Sequence, residues 1–366
     1  MNTPKHIGII GAGVAGLSVA RELLELKPQT SITIFDSRPR LPHPQRTFCF
    51  FKPSEVFTLP EATTSWNAIS FKSSTFTRKI DVSDTPYTLI HGDEFFAYTL
   101  ELLESGGVTF YWESPAAAID SQRIQSTHGY HTFDCVIDAS FEKESLAPLL
   151  WQSFAGLWIE TPAPTFEAST ALIMDIGPSS SEAPVSFFYV LPTSPQTALV
   201  EHTTFSPRIL EEEYHLTRCH TWLEQNISTP ILLKRTERGA IPMGLPPQKH
   251  ADLFHIGSNS GAVRTATGYA FIKIQKQARA LARHIVQDGL PSKVAYPRWL
   301  EMGDRLFLQA LSSHPAYGAD LMERLLSRAS KKNLVAFLSD ESSFLQTLPV
   351  WLTVPKRKML RALLCG

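Results

Sequence analysis

From His6 the chain reads HIGII, a short buried-strand pattern, followed by GAGVAG and then LSVARELLELK. In the last stretch apolar residues return every three or four positions, as on one face of a helix. Pro28 stops that period, and SITIFD supplies a second apolar strand. Strand, turn, helix and strand within about thirty residues is the length of one βαβ unit. Residues 40–87 hold no sustained period and read as irregular and aromatic-rich. From Tyr87 to Phe110 the pattern predicts a strand, a helix over Gly92–Leu103 and a strand after Gly106-Gly107, and FDCVIDAS, ending at Ser140, predicts another. Between Trp151 and Met243 the reading turns β-rich, with SFFYVLP and TALVEHTTF flanking the turn residues TSPQ as a hairpin. EEEYHLTRCHTWLEQNI then predicts an amphipathic helix, LFHIGSNSG a strand ending in glycine, and YAFIKIQKQARALARHIVQDG a long helix closed by Gly289. The remainder reads as mostly helical.

Composition narrows the classes. A chain of 366 residues is long for one core, so two domains and an extension are expected. The 34 Lys+Arg balance 35 Asp+Glu to a net charge of −1, which leaves no global basic field for nucleic acid. Cys49, Cys135, Cys219 and Cys365 lie far apart with no CxxC pair or histidine at zinc-ligand spacing, so neither a metal site nor a disulfide framework is expected. The first apolar stretch is short and broken by glycines, which suits a strand and turn better than a signal peptide. No run reaches about 18 apolar residues, so no transmembrane helix is predicted. A cytoplasmic protein fits these features, with room for a peripheral contact at the inner face of the membrane.

Gly11, Ala12, Gly13, Val14, Ala15 and Gly16 form a GxGxxG turn between the first strand and helix. In such a turn the first glycine permits the bend, the second admits a pyrophosphate and the third lets helix and strand pack closely. The helix N-terminus offers free N–H groups and the positive dipole end. Asp36, 20 residues after Gly16, ends the second strand where a carboxylate accepts from ribose hydroxyls, and it would repel the 2′-phosphate of NADP. FAD is preferred over NAD because the motif lies near the start of the chain and Gly257 ends a late strand before a long helix. Flavoproteins of the aromatic-hydroxylase architecture close around the ribitol there, usually with Gly-Asp; this sequence has Gly257-Ser258. The expected fold class is therefore α/β: a Rossmann-type FAD-binding domain interleaved with a β-rich substrate domain, then a helical C-terminal extension. The expected boundaries are 1–50, 88–150 and 251–290 for the FAD-binding domain, 51–87 and 151–250 for the substrate domain, and 291–366 for the helical region.

Four segments, in order, resemble the flavin-dependent lycopene cyclases of carotenoid biosynthesis. They are GAGVAG with Asp36; Arg46-Thr47-Phe48-Cys49-Phe50-Phe51, similar to an R-T-W-C-F-W block with Phe at both Trp positions; and Phe188–Pro192 with Leu199-Val200-Glu201-His202-Thr203. The fourth is Glu237-Arg238-Gly239-Ala240-Ile241-Pro242-Met243 with Gly257 and Thr267–Phe271, which includes Gly268. The likeness implies a redox-neutral isomerase. A protonated carboxylic acid gives a proton to a terminal alkene of a polyene, the cation closes a six-membered ring, and a neighbouring proton is lost. Reduced FAD is required, and an unidentified reductant must supply it.

Within that resemblance Glu201 matches the acid position of a V/L-E-E/D-T motif. Strand alternation puts Glu201 on one face with Leu199, Thr203 and Phe205, and Val200 and His202 on the other. An apolar face raises a carboxyl pKa, as protonation of an alkene requires. His202 replaces the usual second carboxylate, signalling either altered specificity or a surface histidine. Glu237 is the second candidate catalytic residue, with a salt bridge to Lys234, Arg235 or Arg238 as the structural alternative. Arg46 is placed near the flavin or its phosphates. Phe48, Phe50, Phe51, Phe187, Tyr189 and Tyr269 are candidate pocket walls, since aromatic faces stabilise cations by roughly 0.5–2 kcal/mol each; core packing is the alternative for each. Lys331-Lys332 and residues 354–364 mix basic and apolar residues, as a peripheral membrane anchor or an ordinary solvated helix would. Two other readings share the fold: a flavin monooxygenase or halogenase, and a non-catalytic flavin-containing polyene-binding protein.

Overall fold

Strand β1 (His6–Ile10) sits at the centre of a parallel sheet ordered β18-β12-β1-β2-β8, formed with β2 (Ser31–Phe35), β8 (Thr109–Tyr111), β12 (Cys135–Asp138) and β18 (Phe254–His255). The computed structural model describes residues 5–43, 45–141, 146–245, 253–287, 297–339 and 341–353. Both faces of this sheet are covered, which explains its continuous apolar strands. Ile7 and Ile9 face helices α1 (Val14–Leu26), α2 (Gly92–Ser105) and α4 (Phe271–Gln287) through one core. Ile10, Phe35 and Val136 pack on the other side against Ile124 of a small antiparallel sheet, β9 (Ala116–Ala118), β10 (Arg123–Ser126) and β11 (Gly129–Thr132).

A second, seven-stranded sheet is ordered β17-β13-β16-β15-β14-β5-β6. Its members are β5 (Ala68–Lys72), β6 (Thr77–Asp81), β13 (Leu150–Glu160), β14 (Thr170–Ile176), β15 (Val185–Pro192), β16 (Thr197–Ser206) and β17 (Leu232–Met243). The expected hairpin is β15–β16, with Tyr189 opposite Glu201. One face is covered by α3 (Glu212–Asn226), whose Cys219 and Leu223 pack on Leu157, Val200 and neighbours. The other face joins a larger core that includes α5 (Arg298–Ser313), α6 (Gly318–Arg328), α7 (Lys331–Leu338) and α8 (Phe344–Trp351). A three-stranded sheet, β3 (Thr47–Phe51), β7 (Tyr87–His91) and β4 (Thr64–Trp66), links the two halves.

Residues 40–87 are thus not irregular: they hold β3 to β6. These strands have three to five residues each, and β5 pairs in parallel with β14 about a hundred positions later. Such short segments show no period of their own, and a remote partner fixes them. The strand expected over LFHIGSNSG is only β18, because Gly257 (φ 92) turns the chain into a short 3-10 turn over Ser258–Ser260.

The GxGxxG turn is sterically required at Gly11, where φ is 96° and a Cβ would lie 2.8 Å from the Ala139 carbonyl oxygen, and at Gly16, and it is open at Gly13. A Cβ on Gly16 would overlap the carbonyl oxygen of Gly11, whereas one on Gly13 meets nothing within 4 Å. Gly16→Ala is expected to lower the unfolding free energy by about 1–3 kcal/mol or more, and Gly13→Ala to change it little. Urea midpoints measure both, and equal midpoints for the two variants would contradict this packing.

Candidate active site

One cavity of about 1130 Å³ runs from the GxGxxG turn, over the face of the large sheet, to the C-terminal helices. That exceeds the roughly 300–1,000 Å³ usual for a single drug-sized ligand. It has a nucleotide end and an apolar end, and the carboxylates lie between them.

At the nucleotide end, α1 begins from Gly13 with no side-chain cap and no acidic residue in its first turn. Its free N–H groups and positive dipole end are therefore available to an anion. Ala12 donates its N–H to Asp36 Oδ2 at 2.6 Å, and the Arg38 guanidinium grips both Asp36 oxygens at 2.9 and 2.8 Å. Burial pushes the Asp36 carboxyl up, but the donors of Arg38 and Ala12 outweigh it and hold the group below its usual range. An anionic acceptor at that strand end suits ribose hydroxyls. Gly11, Gly13, Val14, Ala15, Arg46, Gly257, Ser258 and Gly268 line the same cavity. Gly257 packs so closely on α1 that a Cβ would lie 2.8 Å from that of Ala15. The bare glycine surface and uncapped helix fit an FAD pyrophosphate; of the residues singled out from sequence, Ala12 and Gly16 do not line the cavity, Ala12 holding Asp36 and Gly16 packing against the Gly11 carbonyl.

Glu201 and Glu237 also meet in this cavity, from β16 and β17 on either side of β13. Both pair with Gly156. They are 8% and 5% exposed. Glu237 forms none of the salt bridges considered from sequence: Lys234 binds Glu160, Arg238 binds Glu212, and Arg235 reaches His91. Instead its Oε2 accepts from Thr47 Oγ1 at 2.6 Å and Trp158 Nε1 at 2.8 Å. Glu201 Oε1 accepts from Thr203 Oγ1 at 2.8 Å. Burial, and then the charge of Glu237, push Glu201 up to about 8. Burial also raises Glu237, against the donors of Thr47 and Trp158 and the charge of Arg235. Two donors on one oxygen oppose the effect of burial at Glu237, whereas Glu201 has one donor and the charge of Glu237 adds to burial there.

His202 is buried rather than on the surface. It lies under α3, with Nδ1 2.9 Å from Nδ1 of His215 and Nε2 2.9 Å from Ser186 Oγ. Burial pushes these two histidines down, to about 3 and about 4. Of the expected wall residues, Phe48, Phe187, Tyr189 and Tyr269 line the cavity. Phe50 and Phe51 do not: Phe50 stacks on Phe271, and Phe51 packs against Tyr87 in the core. Sequence reasoning missed Thr47, Trp158, Gly156 and the hydroxyl cluster of Tyr87, Tyr189 and Tyr269, where Tyr87 OH contacts both other hydroxyls beside Cys49. It also missed the apolar end wall of Phe307, Met322, Leu325 and Phe337. Among the described residues no three metal-ligating side chains cluster, and no helix is long and apolar enough to cross a membrane. Lys331 and Lys332 are exposed at the start of α7; residues 354–364 lie outside the described residues.

A Rossmann-type unit whose cavity opens onto a large, mostly antiparallel sheet defines the flavoprotein fold. A geranylgeranyl bacteriochlorophyll reductase-like protein from Thermoplasma acidophilum shares it at a TM-score of 0.60 and 13% identity, over 98% of this chain and 95% of that one. A variant of halogenase PltM in complex with FAD gives 0.57 and 12%, over 93% and 82%. A variant of 2-methyl-3-hydroxypyridine-5-carboxylic acid oxygenase gives 0.55 and 12%, over 92% and 96%. No curated protein matches. The chain belongs to the lycopene cyclase protein family, whose model matches residues 6–364.

The buried titratable groups set a pH dependence of stability. Between its ordinary 4.5 and about 8, folded Glu201 holds a proton that the unfolded chain has released, so stability falls as pH rises through that window. The histidines act oppositely: below 6.5 the unfolded chain takes protons that the folded state refuses, so stability falls as pH drops. Between pH 6.5 and 8 the carboxyl effect is left, worth about 2 kcal/mol at 1.4 kcal/mol per unit. Thermal unfolding of the wild type is expected to show that decline and Glu201→Gln to lack it; matching slopes would refute the buried neutral acid.

Proposed function

We propose that the protein is an isomerase that binds FAD and, with the flavin reduced, cyclises an end of lycopene or a related isoprenoid polyene. The observation that carries this reading is Glu201: a neutral carboxyl in an apolar chamber, next to a carboxylate held by two donors. An alkene is a very weak base, so it needs a strong enough acid within contact and no water to compete. Glu201 gives its proton to the terminal double bond, and attack by the next double bond closes a six-membered ring around the cation. Glu237, held by the Thr47 hydroxyl and the Trp158 indole N–H, takes the neighbouring proton, so the product is an isomer of the substrate; those two donors on one oxygen support its role as the acceptor. Reduced FAD supplies an electron-rich surface that stabilises the cationic charge. Phe187, Tyr189 and Phe205 supply aromatic walls, each worth roughly 0.5–2 kcal/mol to a cation.

A hydrocarbon substrate of that length is dissolved in lipid, so peripheral membrane contact belongs to the same proposal. The exposed Lys331 and Lys332, and the exposed apolar Phe344, Leu345 and Leu352 on and beside α8, support it. An external reductant must recharge the flavin only when it is oxidised, because the reaction itself consumes no electrons.

Expression in a lycopene-accumulating bacterium is expected to convert the pigment to a cyclised isomer of unchanged mass. Glu201→Gln should reduce conversion by at least about 10²–10⁴-fold with bound FAD retained. In vitro, the kcat/KM profile should fall as pH rises through about 8, where the acid loses its proton. Pigment left unchanged by a well-expressed, FAD-loaded wild type would reject lycopene as substrate. An oxygenated product would favour a monooxygenase instead.

A further inference from the structure

Glu201 and Glu237 belong to strands that do not touch. Strand β13 lies between them, so their backbones are about 10 Å apart, two inter-strand spacings. Directly between them, in register with both, the chain places Gly156. A Cβ there would lie 2.8 Å from Leu199 Cδ1, 3.0 Å from Glu201 Cβ and 3.3 Å from Glu201 Cα. The Gly156 backbone needs no glycine for its own sake, since it has no positive φ. Glycine in a central strand weakens it and marks a close approach. Here the approaching groups are the tip of Leu199 and the Cα and Cβ of Glu201, so the root of the acid residue packs directly on the bare backbone of β13.

We infer that Gly156 is a positioning residue: its bare backbone lets Glu201 lean across β13 toward Glu237, making one proton-sharing pair of two carboxyls held on separate strands. A side chain at that position would stand between them and push Glu201 away. This rests on the reading of Glu201 as the acid, and deepens it by naming what holds acid and acceptor together.

The other titratable groups around Glu201 are the same in every member of the cycle below, so their own contributions to the pH dependence cancel in the comparison. Tyr189 on β15 and Cys49 on β3, with Tyr87 and Tyr269 beyond them, are pushed well up by burial and stay neutral up to pH 8 and beyond. Arg235 stands on the Glu237 side, against His91. His202, His215 and Cys219 lie on the α3 face of the same sheet, and both histidines are neutral above pH 6.5.

The test is a double-mutant cycle read by thermal unfolding of the FAD-loaded protein between pH 6 and 9, which needs no substrate. In the wild-type background, Glu237→Gln keeps an acceptor for Thr47 and Trp158 but removes the neighbouring charge. It should lower the pH at which the Glu201 proton is lost by about one unit. In a Gly156→Ala background the same Glu237→Gln change should shift that midpoint little. Gly156→Ala/Leu199→Ala relieves the nearest clash and serves where the single variant does not fold; it should uncouple the pair likewise. An equal shift from Glu237→Gln in both backgrounds would overturn the inference. Turnover of lycopene by the same variants forms a second arm, with kcat expected to fall at least tenfold in Gly156→Ala and KM to change little. If the wild type leaves lycopene untouched, the proposed reaction fails while the thermal cycle still decides the role of Gly156.

Discussion

A carboxyl group inside an apolar chamber must be neutralised or fully provided with donors, and these two carboxyls divide those solutions between them. Glu237 takes the donors, a hydroxyl and an indole N–H on one oxygen. Glu201 has one hydroxyl and keeps its proton. Two ionised carboxylates facing one dry space would repel each other in a medium that screens them poorly. The asymmetry of their donors therefore separates the two groups, and it is what the proposed assignment of Glu201 as acid and Glu237 as acceptor rests on.

The rest of the architecture supplies that arrangement with its surroundings. The parallel sheet and α1 present uncapped N–H groups and bare glycine at one end of the cavity. The seven-stranded sheet forms its floor, and the C-terminal helices close the apolar end with Phe307, Met322, Leu325 and Phe337. The flavin-side loop is tied to those helices by Arg264, fully buried, which bonds to Asp304 of α5 at 3.1 Å and to the carbonyl of Phe337 on α7. A guanidinium removed from water needs such partners. The loop that carries Gly268 and Tyr269 and the wall that carries Phe337 are thus joined through one buried guanidinium.

Much of this was legible in the sequence where a local rule applied. The βαβ unit announces itself because strand and helix periods change over at glycines whose spacing has a steric cause, and Asp36 follows at the distance the second strand imposes. The hairpin of β15 and β16 was legible because TSPQ separates two apolar runs of matching length. Alternation alone then put Glu201 on the face of Leu199 and Phe205. What was not legible is whatever depends on pairing across long separations. Thr47 and Trp158 reach Glu237 from 190 and 79 residues away. The strands within residues 40–87 are too short to show a period, and the end wall comes from helices whose apolar stripes look like any core stripe. Gly156 gives no sign in the sequence, because its meaning lies in what β16 and β17 place beside it.

His202 shows how the same geometry corrects an expectation. Position 202 is where the family pattern has a second carboxylate, and its replacement by histidine looks in the sequence like the loss of half an acid pair. Neighbouring residues on a strand point to opposite faces, so whatever side chain occupies 202 faces α3, away from the chamber. There the histidine is buried with His215, Ser186 and Ser153 in a hydrogen-bonded chain. A carboxylate at 202 could not share the chamber of Glu201 without a one-residue slip, which would turn Glu201 itself outward. The second carboxyl on the chamber face comes instead from a different strand: Glu237 of β17 lies in register with Glu201 across Gly156, the position at which the proposed pairing needs no side chain.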